Sequence, residues 1–590
     1  MPFTDPHSYT DLTQGRIAHI SLRMAVDFPS RVLSIVATYL LEQPASGSFY
    51  LDTRDLHIER VHAGSADLSW ELDQDDPIKG QRLHLQDLQS LAEFTIELST
   101  SPQAKALQWL DPEQTAGGEH PFLFSQCQAI QARSIFPCQD SPCVRITFDA
   151  QVEVAKPLVA TLAAAHTGTE DLGETRLYSF TMEQPTPAYL FAIAAGNLDF
   201  REFGPRTGVY AEPEVMEEAA WEFAENEQKV IEAEKLLGPY LWGRYDIVIM
   251  PPSFPFGAME NPRLTFVSPI FIVGDRSQTD LISHELAHAW TGNLVTNATW
   301  EDFWLNEGWT VYAESRITEA LMGIEVARLL NIIRRLDMLE EMKRFGMDSD
   351  PTRLKYSQEG IDPDEVFSSI PYQKGFTFLL DVEQAVGRAA FDAFIKTYIE
   401  TFSFQSLTTE GFIAFLKQEL PQVVGQVDID EWIYAPGFPA DPPPLSSSLY
   451  DDVAARAAAY EEGILPTRDQ VADWKPDQTR LFLYLLPQSI PPEHCRHIEQ
   501  VFDFPNSRNY TVLNRFYLLC ISSGYQEVLP GIERMAGSVG RSAIIRPIFH
   551  RMVAAEWARD LARPLFERYR QRHHPITVAS VEHILSDAGL

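Results

Sequence analysis

The sequence predicts a multidomain α+β protein with a β-rich N-terminal part, a mixed middle part and an all-α C-terminal part. At 590 residues the chain is too long for a single hydrophobic core. Short β-forming stretches dominate up to about residue 203, helical periodicity begins near Val215, and a proline-rich stretch interrupts the helical pattern at 436–444. We therefore expect a β domain at 1–203, a mixed domain at 204–435, a linker at 436–448 and an α-helical domain at 449–590.

The N-terminal part is predicted to be an antiparallel β domain. Residues 17–28 alternate partly between apolar and polar, and residues 48–52 and 143–150 are rich in β-forming side chains. Clusters of proline, glycine and aspartate separate these stretches, as turns between strands require.

The middle and C-terminal parts carry the helical patterns. An amphipathic stretch from Ala219 to Leu237 ends at Gly238-Pro239 and predicts one long helix. The prolines at 436–444 exclude a regular helix or a central strand, so this stretch should be an extended linker. Beyond it, the periodicity predicts helices over residues 453–462, 509–523 and 542–570.

The chain is strongly acidic, with 47 basic and 83 acidic residues and a formal net charge of −36. This charge repels nucleic acid and anionic membranes, so neither is an expected partner. The apolar runs fall far short of the roughly 20 residues that cross a bilayer, and Met1-Pro2-Phe3 lacks the basic start of a secretory signal. Five cysteines are too few, and odd in number, for a disulfide framework, which favours a reducing cytoplasm.

The segment His284-Glu285-Leu286-Ala287-His288 predicts a metal site. Residues four apart share one face of a helix, so both imidazoles can reach one zinc ion while Glu285 points into the same cleft. Thr279 and Asp280 offer N-caps and Gly292 offers a stop, which supports a helix here. The alternative for this motif alone is a chance match on an amphipathic helix.

A second helical stretch, over about residues 303–319, supplies a third candidate ligand near its start. If this helix lies against the first, Glu307 completes a set with His284 and His288. Catalytic zinc has three protein ligands and an open position for water, and Glu285 is placed to take the proton of that water as general base. The sequence therefore predicts one zinc ion and hydrolytic chemistry.

Upstream of the motif, Gly257-Ala258-Met259-Glu260-Asn261 has two interpretations. A glycine beside small residues lets a backbone run close to a ligand, and Glu260 would then pair with a substrate cation. Alternatively, the stretch is a turn whose glutamate is merely solvated. Spacing alone does not separate the two.

These motifs together resemble a known family. Residues 257–261, 284–288 and Trp304-Leu305-Asn306-Glu307-Gly308 resemble, in order and spacing, the M1 zinc aminopeptidases. Residues 125–130, 137–140, 368–376 and 574–577 are similar to the leukotriene A4 hydrolase and aminopeptidase B branch of that family. The resemblance spans nearly the whole chain.

The resemblance implies a fold and a metal centre. The N-terminal domain should be a twisted β saddle, the middle domain thermolysin-like and catalytic, and the C-terminal domain a helical superhelix over the active-site cleft. The resemblance also places zinc on His284, His288 and Glu307, with Glu285 as general base.

Substrate contacts follow from the same resemblance. Glu260 should bind the free α-amino group of a peptide, helped by Gln128, and residues Gly257, Ala258 and Met259 should line the same cleft. Tyr372 matches the catalytic tyrosine of the family and should donate its phenolic proton to the oxyanion. Without the resemblance, a surface aromatic is the simpler interpretation of Tyr372.

Three further residues have two interpretations each. Arg541 matches an arginine that binds the substrate carboxylate, although Ala543 stands where the relatives carry a companion lysine; the alternative is a surface arginine. Asp364 matches an acid that lines the cleft and would favour a basic first residue, or it is an ordinary loop carboxylate. Glu314, two helical turns after Glu307, would hold a histidine ring by its free N–H, or it is an exposed helix acid.

We therefore expect a monomeric cytoplasmic zinc aminopeptidase that acts on short peptides with a free N-terminus. A second hypothesis adds hydrolysis of a fatty-acid epoxide by the same site. Phe367 stands where the leukotriene-type enzymes carry tyrosine, and this difference counts against epoxide-hydrolase selectivity. The third hypothesis is a binding scaffold without catalytic activity. The intact ligand set, base and tyrosine count against it.

Overall fold

The computed structural model describes residues 4–590. Met1, Pro2 and Phe3, on which the prediction of no secretory signal partly depends, lie outside the described residues. Strands come first, a mixed region follows and helices end the chain, which is the predicted order of the fold class.

The first region consists of strands. They are β1 (Ile17–Asp27), β2 (Val32–Thr53), β3 (Leu56–Ala63), β4 (Ala66–Asp67), β5 (Ser69–Leu72), β6 (Gln81–Thr100), β7 (Leu107–Leu110), β8 (Phe122–Ser125), β9 (Arg145–Ala155), β10 (Val159–Leu162), β11 (Ala165–Asp171), β12 (Thr175–Pro187) and β13 (Ile193–Gly196). Nine of them form one sheet in the order β11-β12-β9-β1-β2-β6-β3-β4, with β5 beside β6, and β10-β13-β8-β7 form a second.

The large sheet is not purely antiparallel as predicted. β1 pairs antiparallel with β2 but parallel with β9, where His19 faces Thr147. Parallel strands need a long connection, and more than a hundred residues separate β1 from β9. A local sequence pattern cannot predict pairing between strands so far apart. Alternation holds along β1, since Ile20, Leu22 and Met24 are buried.

The middle region alternates helices and strands. Its elements are β14 (Asp199–Glu202), β15 (Thr207–Ala211), α1 (Met216–Glu222), α2 (Asn226–Leu237), β16 (Tyr245–Ile249), β17 (Ala258–Met259), β18 (Leu264–Val267), α3 (Asp280–Ala287), β19 (Val295–Asn297), α4 (Trp304–Met322), α5 (Ile324–Phe345), α6 (Ile370–Val386), α7 (Arg388–Phe402), β20 (Gln405–Leu407), α8 (Thr409–Glu419) and α9 (Ile429–Tyr434). Five strands form a sheet in the order β14-β15-β16-β18-β17, which leaves β17 at an edge.

The long helix predicted from Ala219 to Leu237 is wrong in one respect, because it is interrupted between α1 and α2. At the end of α1, the carboxylate of Glu222 accepts the backbone N–H groups of Gly274 and Arg276. These bonds fix the end of α1 to a loop distant in sequence, a contact that overrides the local periodicity.

The last region is helical. It contains α10 (Ser448–Glu461), α11 (Pro476–Leu485), α12 (Pro492–Phe502), α13 (Tyr510–Ser522), α14 (Leu529–Ser538), α15 (Ser542–Ala554), α16 (Glu556–Tyr569) and α17 (Pro575–Asp587). The single helix predicted over 542–570 is wrong, because extended backbone at Ala555 divides it. The break lets α16 fold back on α15, so that each helix buries its apolar face against the other.

The proline-rich stretch has neither helix nor strand between α9 and α10. It is anchored to the middle region, since the ring of Phe438 packs 5.6 Å from that of Trp432 and Arg335 donates to the carbonyl of Pro443 at 3.0 Å. The domain limits themselves stay predictions. Within residues 4–590 no helix combines the length and the apolar character needed to cross a membrane.

Candidate active site

The two motif histidines project from the end of α3 toward α4. His284 occupies the last turn of α3, and His288 follows as its C-terminal cap. α4 packs against α3 and carries Glu307 in its first turn, so the carboxylate meets both rings. The helical spacing of the motif therefore brings the three side chains to one point.

The ends of α3 differ from the prediction. Thr279 occupies the N-cap position but makes no side-chain capping bond, and the helix ends at Ala287 rather than near Gly292. At Gly292 the chain turns with a φ of 117°, and a Cβ there would lie 2.4 Å from Asn306 Oδ1 and 2.7 Å from His288 Nδ1. Only glycine allows this close approach, which keeps the turn packed against the second histidine.

The distances within this cluster fit zinc. His284 Nε2 lies 3.2 Å from His288 Nε2, and Glu307 Oε2 lies 3.5 and 3.6 Å from these two nitrogens. A tetrahedral zinc ion with bonds of about 2.0–2.2 Å separates its ligands by roughly 3.3–3.6 Å. Glu307 Oε2 is buried and has no hydrogen-bond partner in the described part of the chain. The three atoms thus converge on a point that fits a cation.

Both histidine rings are oriented by their outer nitrogens. His284 Nδ1 lies 3.0 Å from Glu314 Oε2, and His288 Nδ1 lies 3.3 Å from Thr310 Oγ1. Arg334 binds the other oxygen of Glu314 and lies 3.4 Å from Asp280. Although burial opposes ionisation of Glu314, Arg334 and His284 hold its pKa below the usual value. A charged carboxylate at this position directs Nε2 of His284 toward the cluster.

Glu285 lies beside the cluster and belongs to a second possible group with Glu260 and His288. That group has one nitrogen and two carboxylates, whereas the first has the two imidazoles and one carboxylate typical of catalytic zinc. Burial, opposed by the charge of His284 and aided by that of Glu307, raises the pKa of Glu285 to about 8. A bound cation would lower this pKa. The donor set therefore favours His284, His288 and Glu307 as the group that could hold zinc, with Glu285 as a carboxyl beside it.

Glu260 is a nearly buried carboxyl with no cationic partner among residues 4–590. Glu260 is the first residue after the edge strand β17. Asn293 Nδ2 donates to the backbone carbonyl of Glu260 at 2.7 Å. Gln128 Nε2 approaches Glu260 Oε1 at 3.5 Å. Burial and the charges of Glu307 and Glu285 raise the pKa of Glu260 well above its usual value. The site gains most from a ligand that brings a positive charge to Glu260.

Tyr372 is brought to the cluster by close packing of α4 and α6. A Cβ added to Gly308 would lie 2.8 Å from Gly375 Cα, so the two backbones touch where both residues are glycine. The ring of Tyr372 lies 5.9 Å from that of His284. Burial, followed by the charge of Glu307, raises the pKa of Tyr372 well above its usual value. The phenol of Tyr372 therefore stays protonated at neutral pH.

A cavity of about 1350 Å³ contains all these groups and extends to the C-terminal helices. Arg541 reaches it because the chain at Gly540 packs against Ser253, and the Ser542 N–H donates to the carbonyl of Pro255 at 2.9 Å. The guanidinium of Arg541 then lies 3.0 Å from the position that a Cβ on Gly257 would take. Glycine at 257 leaves room for this side chain.

At another wall of the cavity, Asp364 is part of a chain of polar side chains that the sequence did not predict. Gln131 Nε2 donates to Asp364 Oδ2 at 3.1 Å, and Arg54 Nη1 donates to Gln131 Oε1 at 3.3 Å. Asp364 opens to the cavity, yet desolvation and the charge of Asp362 raise its pKa. Gln131 lies three residues beyond Gln128, and no local pattern distinguishes it.

Ala258 and Met259 form the outer face of the site as strand β17. They pair with Val267 and Phe266 of β18 on one side, and β17 has no strand neighbour on the other. Gly257, Ala258 and Met259 all line the cavity. An extended peptide can therefore pair with this edge.

Comparison with known proteins identifies the family. The peptidase family M1 domain matches residues 222–432, the peptidase M1 N-terminal domain matches 16–190, and the leukotriene A4 hydrolase C-terminal domain matches 474–585. These matches confirm the predicted family and, with the order of the secondary structure, the predicted fold class.

Similar proteins cover almost the whole chain. A leukotriene A-4 hydrolase of Xenopus laevis is 37% identical over 97% of this chain and 98% of its own length, and a leucine aminopeptidase 2 of Neosartorya fischeri is 35% identical over 98% of each. The structure of yeast LTA4 hydrolase in complex with bestatin superposes with a TM-score of 0.92 and 32% identity, covering 99% of this chain and 97% of that one. The chain belongs to the M1 family of zinc metallopeptidases, in the branch with the leukotriene A4 hydrolase type of C-terminal domain.

Proposed function

We propose that this protein is a zinc aminopeptidase that removes the N-terminal residue from short peptides. The observation that carries the proposal is the placement of Glu260 and Gln128 beside the cluster of His284, His288 and Glu307. Zinc held by that cluster would supply a Lewis acid for the scissile carbonyl and the attacking water. One zinc per chain, a monomeric state and a cytoplasmic location stay predictions.

Glu260 would restrict cleavage to the first residue. Its carboxyl is buried and has no cationic partner among the described residues, so a substrate that brings an α-ammonium there gains a charged hydrogen bond, whereas an internal peptide bond leaves the acid without a cation. Gln128 would accept a further ammonium proton through its side-chain oxygen. The free edge of β17 would hold the backbone of the peptide in an extended conformation.

Glu285 and Tyr372 would carry the proton transfers. Glu285 takes a proton from the attacking water, and its buried position gives it a basicity suited to that role near neutral pH. Tyr372 directs its phenolic proton toward the oxyanion that develops on the scissile carbonyl. Both side chains belong to this chain and act on the same reacting centre from different helices.

Aminoacyl anilides with free and acetylated amino groups test the proposal. We expect hydrolysis of the free forms, loss of activity with a chelator, and recovery with Zn²⁺. Acetylation should lower kcat/KM by about 30- to 4000-fold, because truncating one partner of a buried charge pair costs about 2–5 kcal/mol. A Glu285→Gln preparation controls for a contaminating peptidase. Equal rates on acetylated substrate, or activity without metal, would contradict the proposal.

Asp364 would favour an arginine or lysine as first residue. Asp364→Asn should lower the ratio of kcat/KM for arginyl over leucyl anilide by about tenfold, since hydrogen bonds to charged groups contribute about 1.5–3 kcal/mol. Gln131→Leu should lower the same ratio by less, because it removes only the group that orients the acid. Glu365→Gln is the matched control, as this neighbouring exposed acid does not line the cavity. An unchanged ratio in Asp364→Asn contradicts the assignment.

Hydrolysis of a fatty-acid epoxide stays a second prediction. The cavity is large and lined partly by apolar side chains, which suits a lipid chain. Phe367 is 59% exposed beside the ring of Tyr372 and offers no hydroxyl there. Formation of a specific diol from a fatty-acid epoxide would establish this activity.

A further inference from the structure

Three arginines of the C-terminal helical region, Arg480, Arg541 and Arg546, line the cavity. Arg541 forms no ion pair within 4 Å in the described part of the chain; its guanidinium instead lies near Gly257 and 5.4 Å from the ring of Phe271. Burial and the nearby charge of Arg480, opposed in part by Glu285, lower the pKa of Arg541 to about 10. A half-buried guanidinium without an acid partner is a site that attracts an anion.

Arg480 lies on α11 and also lines the cavity. Its Nη2 binds Asp337 Oδ2 at 2.5 Å, while Arg515 on α13 binds Oδ1 of the same acid at 2.8 Å. One carboxylate is therefore shared by two guanidinium groups, which leaves one positive charge in excess. Arg480 keeps donors that no described residue accepts, and Arg515 does not line the cavity.

Other charged groups on this wall do not cancel that excess. Asp477 lies one helical turn before Arg480 and makes no ion pair within 4 Å with a described residue; its negative charge is matched by the positive charge of Arg546 on the same lining. Arg546 also lines the cavity, on the same helix as Ala543, and its side chain is exposed. Two guanidinium groups that repel each other across a shared space are stabilised by an anion between them.

We propose that Arg480 acts with Arg541 to bind the C-terminal carboxylate of the peptide substrate, and that Arg480 is thereby a specificity-determining residue for peptide length. The inference rests on the proposed aminopeptidase function, because the amino group held by Glu260 fixes one end of the substrate. Arginine suits the task, since its planar fork grips a carboxylate through two hydrogen bonds. Peptides long enough to reach both ends of the cavity should be preferred over aminoacyl anilides, which have no carboxylate.

The test compares a tripeptide with its C-terminal amide. In the wild type the free acid should have the higher kcat/KM, and Arg480→Ala should lower the acid-to-amide ratio by about tenfold, the factor that corresponds to the loss of about 1.4 kcal/mol. Arg480→Lys should retain most of the ratio. A third substrate, a tripeptide amide with glutamate as last residue, distinguishes an α-carboxylate from a side-chain carboxylate; preference for it over the plain acid would overturn the proposal.

Arg515→Ala is the matched control. It removes the other partner of Asp337 without changing a cavity-lining residue, so its acid-to-amide ratio should equal that of the wild type. If Arg480→Ala melts at a lower temperature than Arg515→Ala, Arg480→Gln replaces it. Glutamine keeps a hydrogen-bond donor toward Asp337 but carries no charge. An unchanged ratio in the Arg480 variants, or an equal loss in Arg515→Ala or Arg546→Ala alone, overturns the inference. A wild type that cleaves neither peptide overturns the proposed function as well.

Discussion

Glu285→Gln should lower kcat by about 10²–10⁴-fold, the usual contribution of a general base. Glutamine has nearly the shape of glutamate and preserves the packing, but it cannot accept a proton at neutral pH. KM for an aminoacyl anilide should change little, because the proposed function assigns binding of the amino group to Glu260 and not to Glu285. Steady-state kinetics with a free aminoacyl anilide measure both constants.

The zinc content of this variant separates the two possible metal groups. If His284, His288 and Glu307 hold the ion, Glu285→Gln retains about one zinc per chain, whereas Glu307→Gln loses most of it. If the ion instead lies between Glu260, Glu285 and His288, the outcomes are reversed. Atomic emission on both variants after gel filtration gives the answer without a measurement of activity. Retained turnover in Glu285→Gln would contradict the general-base role.

The part of the site that lies within one helix or one turn could be predicted from the sequence. His284, Glu285 and His288 follow helical spacing, and Glu307 needs only that the next helix pack against the first. The reason for glycine at positions 308 and 375 is visible only in the structure. There the backbones of α4 and α6 touch, and a Cβ on either residue would prevent this contact.

The rest of the site depends on contacts between distant segments. Arg480 and Gln131 have no motif of their own, and their significance appears only when α11 faces Arg541 and the N-terminal domain faces Asp364. The breaks in the two long predicted helices have the same origin. Glu222 binds a loop some fifty residues further along the chain, and α16 folds back on α15, so tertiary contacts override the local periodicity.

Tyr372→Phe should lower kcat by about 10²–10³-fold, which is the usual loss when one donor to an oxyanion is removed. Phenylalanine keeps the ring that packs near His284 and Phe303, so the free energy of unfolding should change by less than about 1 kcal/mol. The pKa of the tyrosine is raised well above its usual value by burial and by Glu307, so the hydroxyl is a donor across the working pH range.

The kinetic pattern of Tyr372→Phe distinguishes oxyanion stabilisation from substrate binding. A donor used only as charge develops on the carbonyl lowers kcat and kcat/KM together and leaves KM unchanged, whereas a binding contact raises KM. Tyr356→Phe is the matched control, since this second tyrosine lines the same cavity but neighbours Gln358 and Glu301 instead of Glu307, and it should keep wild-type kcat. A rise in KM with unchanged kcat in Tyr372→Phe would make this residue a binding group.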